Sequence, residues 1–63
     1  MIRNLHVNHE NGEWVIKFGG DRNPISTAKT QEQAITCARR IAENERCELI
    51  VHDEKGKVQS LHK

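Results

Sequence analysis

Few residues of this chain are equipped for chemistry: four histidines, two cysteines, two serines and nine carboxylates among 63 residues. His6-x-x-His9 resembles half of a zinc motif, but no Cys-x-x-Cys accompanies it, and zinc asks for four well-placed nitrogen or sulfur ligands. On a strand these two positions are an odd number of residues apart and point to opposite faces. His6 and His52 share a face only if their strands are neighbours, and two imidazoles still make an incomplete site. His52-Asp53 is contiguous, so on a strand the side chains diverge and cannot act as a base and its orienting carboxylate. Asp53 is better explained as a turn residue, and Cys37, on an apolar stripe, as a small core residue. Ser26 and Ser60 have no identifiable base, and Gly19-Gly20 lacks the Gly-Lys-Ser/Thr of a phosphate loop. A chain this short has little material to enclose a substrate pocket. The expectation is no enzymatic activity, no metal and no cofactor.

Composition narrows the alternatives. Lys plus Arg is 10 against 9 for Asp plus Glu, so the formal charge of +1 supplies no strong field toward nucleic acid or membrane. No apolar run approaches the roughly 18 residues of a membrane span, and no basic, apolar leader marks export. Two cysteines fall far short of a disulfide scaffold. The expectation is a cytoplasmic protein with both thiols reduced. One Pro and no Gly/Ser-rich linker leave residues 1–63 as one small domain. Its core is limited, so the monomer should be marginal or should pair with a partner.

The elements that would position these residues are legible. Arg3 to His9 and Glu13 to Phe18 alternate in polarity around Asn11-Gly12, the dipeptide best suited to the two positive φ angles of a type I′ turn. A two-residue loop opposes Glu10 to Glu13, His9 to Trp14, Val7 to Ile16 and Leu5 to Phe18, and puts every large side chain except Val15 on one face. Gly19 to Lys29 reads as a connection in which Ile25 returns toward the core. Thr30 is a good N-cap with Gln33 three residues on. Ala34, Ile35, Cys37, Ala38, Ile41 and Ala42 recur at helical spacing, and Asn44 offers a left-handed stop. Cys47 to His52 and Lys57 to Leu61 form a second hairpin around Asp53-Glu54-Lys55-Gly56, with Gly56 in the left-handed position of a G1 bulge. That register opposes Val51 to Gln59, Leu49 to Leu61, His52 to Val58 and Ile50 to Ser60. Leu49, Val51 and Leu61 then face inward. The expected fold is a two-layer ββαββ α+β domain, a four-stranded antiparallel sheet of order 2-1-3-4 with one helix on one face.

The residues that carry this layout also carry a resemblance. Trp14-Val15-Ile16-Lys17, then Thr30 with Ala34, Ala38-Arg39 and Ala42, then Leu49-Ile50-Val51-His52-Asp53 and Gly56-Lys57-Val58, resemble the small bacterial domain of unknown function 2188 family. The similarity runs from about Trp14 to Val58, with Gln31 standing where members usually carry Lys. It implies a stand-alone bacterial or phage domain with no established activity, and it transfers no catalytic residue.

Two surfaces remain as functional candidates. Small sheets bind single-stranded nucleic acid with cations and aromatic platforms on an exposed face. Here Lys17 and Arg3 could meet phosphate, with Arg39-Arg40 elsewhere, but Trp14 and Phe18 fall on the core face. The bland alternative is a solvated surface of mixed charge. The favoured reading is an adaptor or regulatory module that binds another protein, or a second copy of itself, through the uncovered sheet face or an edge strand. That face would carry His6, Val15, Lys17, Ile50, His52 and Val58, with Asn8 and Ser60 at its rim. Its own bland alternative is a half-wet sheet that binds nothing.

Overall fold

A computed structural model describes residues 4–62, the side chains of 60–62 excepted. The chain runs β1 (Asn4–Glu10), β2 (Glu13–Phe18), β3 (Ser26–Ala28), α1 (Gln31–Glu45), β4 (Glu48–His52) and β5 (Val58–His62). One sheet of order β3-β2-β1-β4-β5 is covered on one face by the helix.

The first hairpin has the expected register throughout, from Leu5 opposite Phe18 to Glu10 opposite Glu13. Asn11 at φ 51° and Gly12 at φ 79° make the turn that lets β2 double back within two residues. The apolar alternation then does its work: Leu5, Val7, Trp14, Ile16 and Phe18 are buried in the core cluster. The helix begins where expected, with the Thr30 hydroxyl accepting the Gln33 N–H at 3.2 Å. Ala34, Ala38 and Ala42 form its buried stripe, and Ile35, Cys37 and Ile41 pack beside it, partly buried. Small residues on the contact line let the helix axis approach the sheet closely.

The architecture corrects the expected ββαββ antiparallel sheet in two linked ways. The described residues form five strands, because part of the expected connection is β3, antiparallel to β2 with Val15 opposite Thr27. And β4 lies parallel to β1, with Leu5 beside Leu49 and Val7 beside Val51. The second follows from the first by parity. Each antiparallel step reverses the chain, so an added strand before the helix reverses the direction in which β4 enters. The order of the other four strands is the one expected; the direction of the central pair is not.

Local corrections accompany this. Ile25 does not return to the core: its side chain is 46% exposed, and what it contributes is a backbone N–H to the Ile16 carbonyl at 2.8 Å. The helix ends on Arg46, in the left-handed region at φ 54°, rather than on Asn44. Fifteen residues at about 1.5 Å rise span the same ~22 Å as seven strand residues at ~3.3 Å. At that end the Ala42 carbonyl accepts the N–H groups of Arg46 and Cys47.

The second hairpin turns as expected, Gly56 at φ 88° donating to the Asp53 carbonyl and Asp53 to that of Lys57. His52 opposes Val58, but the register then shifts: Val51 opposes Ser60 and Ile50 opposes Leu61. Gln59 is the extra residue of a bulge, so the expected pairs Val51–Gln59, Leu49–Leu61 and Ile50–Ser60 do not form. The Gln59 carboxamide oxygen instead accepts from Gln31 Nε2 at 2.8 Å, at the first residue of the helix. Leu49 and Val51 are buried, while the expected inward Leu61 and rim Ser60 have side chains outside the described residues.

Candidate functional site

The face of the sheet away from α1 is built by strand alternation. Leu5 and Val7 point to the helix, so His6 and Asn8 point away; Leu49 and Val51 are buried, so Ile50 and His52 point away. The register sets His6 beside Ile50, and His52 beside Val58. His6 and His52 close the remaining gap diagonally, their rings stacked at 5.2 Å between centroids and 22° between planes. Four of the six candidate residues, His6, Ile50, His52 and Val58, therefore form one continuous patch. Val58 is 57% exposed at the outermost strand, so the patch runs to the sheet edge.

Lys17 and Val15 behave otherwise. Lys17 is opposite His6 on β2, and its Nζ lies 3.3 Å from Glu10 Oε2. Between those two positions lies the rung Asn8–Val15, so the lysine stem passes over it. Val15, between Asn8 of β1 and Thr27 of β3, is 8% exposed although no helix covers it, which corrects the expectation of an accessible apolar side chain there. Arg39 and Arg40 are exposed on the helix, on the opposite side of the sheet from Lys17, so the fold does not gather these three cations. Trp14 and Phe18 lie in the core, and Arg3 falls outside the described residues.

The histidine pair is the polar centre of the patch. His6 Nδ1 lies 2.9 Å from His52 Nε2, and His52 Nδ1 lies 3.2 Å from the Gly56 carbonyl oxygen. Partial burial, then the neighbouring His52 and Lys17 charges, hold His6 below its ordinary 6.5. Gly19 leaves room for the His6 ring: a Cβ there would stand 3.2 Å from Nε2. Glu10, Gly19 and the Gly56 carbonyl are the members that sequence reading missed. Glycine directly after a strand was the available signal for a close approach at Gly19.

Other groupings offer less chemistry. Asp53 turns its carboxylate to the N–H groups of Lys55 and Lys57 at 2.8 and 2.9 Å, away from His52. The Lys57 N–H first, with the Lys55 N–H and both ammonium groups, holds it below its ordinary 3.8 against a smaller opposing effect of desolvation. An open cleft of about 380 Å³ between this turn and the helix start is lined by Trp14, Gln31, Asp53, Glu54, Lys55 and Gln59. It contains no nucleophile beside a base. Cys37 Sγ stands 4.0 Å from Ser26 Oγ, and both cysteines are free. Among the described residues no group of three or more His, Cys, Asp or Glu could hold a metal ion, and no helix is long and apolar enough to cross a membrane.

No curated protein and no solved structure matches the chain. A family model described as "Uncharacterized protein conserved in bacteria" matches residues 5–62, nearly the whole length and every element of the sheet and helix. The chain belongs to that family, DUF2188, as the residues of its hairpins and helix start suggested.

Proposed function

We propose that this chain is a small non-enzymatic adaptor or regulatory module that binds another protein, a second copy included, through the uncovered face of its sheet. The observation that carries this reading is the continuity of Ile50, His52, Val58 and His6 opposite the helix, with Val58 more than half exposed at the edge strand. Apolar side chains gathered on an otherwise polar face, rimmed by Lys17 and Asn8, are the composition of an interaction surface. The residues that would serve an enzyme are engaged elsewhere: Asp53 with its own turn, His52 with Gly56 and His6.

Val58→Lys and Ile50→Lys test it. Both positions lie outside the core cluster, so each variant should keep the far-ultraviolet spectrum and cooperative melting of the parent. Sedimentation of the purified chain, with quantitative cross-linking in the source cell, should show a complex that both substitutions abolish. An unchanged mass and an unchanged set of cross-linked partners would remove the open face from consideration. Steeply salt-dependent binding of a single-stranded oligonucleotide, lost in Lys17→Ala, would favour nucleic acid as the partner instead.

A further inference from the structure

The two imidazoles tie β1 to β4 and to the turn that follows it. A carbonyl oxygen can only accept, so His52 carries a proton on Nδ1 whenever it holds the Gly56 contact. Neutral His52 then presents a lone pair at Nε2, and the 2.9 Å gap to His6 is filled by the Nδ1 proton of His6. His6 Nε2 is left bare, against Gly19. One added proton fits this chain. Placed on His6 Nε2, or on His52 Nε2 with His6 changing tautomer, it leaves one donor and one acceptor between the rings and makes the bond charge-assisted. A second proton does not fit, because both facing nitrogens would then carry hydrogen and two cations would stand 5.2 Å apart.

We propose that His6 and His52 form a one-proton latch between β1 and the β4–β5 turn, closed with no added proton or one and opened by the second. Among the described residues, the charged groups around the latch do not supply the missing acceptor. Lys17 faces it from β2 and is already held by Glu10 of β1. Glu48 lies two residues before Ile50 on β4, at the level of Asn4. In the turn, the Asp53 carboxylate is taken by backbone N–H groups, Glu54 lines the cleft at the helix start with Trp14 and Gln31, and Lys55 and Lys57 are cationic. The helix packs on the other face of the sheet. Doubly protonated rings therefore separate, and the Gly56 end of the turn loses its tie to β1. The latch shares His6 and His52 with the binding face proposed above but forms within one chain, so its test on the free chain stands or falls apart from that binding role.

Long-range proton–nitrogen spectra of the uniformly nitrogen-15-labelled chain test it directly, without a substitution. At about pH 8 both rings should be protonated at Nδ1 only. On acidification the pair should take up its two protons in steps separated by about one pH unit or more. The Gly56 and Lys57 amide signals should follow the second step. In His52→Ala, His6 should titrate closer to the ordinary imidazole value. His52 protonated at Nε2 at the alkaline end would overturn the latch. So would both rings titrating together, or turn amides that ignore the second step.

Discussion

Gly19 and His6 show how a single side chain is held. The ring sits where a Cβ on residue 19 would stand 3.2 Å from Nε2, so in Gly19→Ala the ring must give by a few tenths of an ångström. We expect displaced His6 ring resonances in that variant; unmoved resonances would contradict the contact. His6 also makes stability depend on pH. Its folded value lies below the unfolded 6.5, so in that window the unfolded chain binds more protons. This contribution is complete above 6.5 and is lost as pH falls toward the lowered folded value. Urea midpoints at about pH 7.5 and about pH 5 should differ in that direction, and less in His6→Asn. Asp53 acts further down with the same sign: its contribution is present above 3.8 and is lost below that as the carboxyl protonates. The sequence puts His6 and His52, 46 residues apart, on one face of neighbouring strands but not in contact, whereas the turn role of Asp53 was legible because its two N–H donors lie within four residues.

At the scale of elements, the helix is tuned by its small residues. Ala38 is fully buried against the sheet, so Ala38→Leu should overpack the interface and cost about 1–3 kcal/mol. Thr30→Ala removes the acceptor of the Gln33 N–H and should cost about 1 kcal/mol. Thermal melting of the two variants orders them; a cap variant as damaging as the core variant would mean that the helix start, not its packing, limits stability. Cap and stripe were both readable, since each is written in neighbouring or helically spaced residues. β3 was not. Three residues, Ser-Thr-Ala, carry too little alternation to mark a strand, and pairing with β2 is what makes them one.

The whole molecule has a Cα radius of gyration of 10.3 Å, close to the ~10.6 Å expected of a compact domain of this length. At roughly 0.05–0.15 kcal/mol per residue, its stability is of order 3–9 kcal/mol. Leu49→Ala, which empties a fully buried position beside β1, should cost about 2–5 kcal/mol and leave a substantial unfolded fraction at physiological temperature. Trp14, the single tryptophan, is buried and reports the transition by its fluorescence. If the open face pairs copies of this chain, the melting temperature should rise with chain concentration. A concentration-independent midpoint would leave a different protein as the partner.

The amino-acid sequence by itself determined the first hairpin and its register, the helix with its cap and small stripe, and the second turn. These are settled among residues a few positions apart, by allowed backbone angles, periodic burial and local hydrogen bonds. The tertiary structure alone decided that a third strand joins the edge and flanks Val15, that β4 therefore enters parallel to β1, that Gln59 bulges toward Gln31, that Lys17 pairs with Glu10, and that the two imidazoles come into contact. Each of those depends on which segments become neighbours after collapse, which residues a few positions apart do not record.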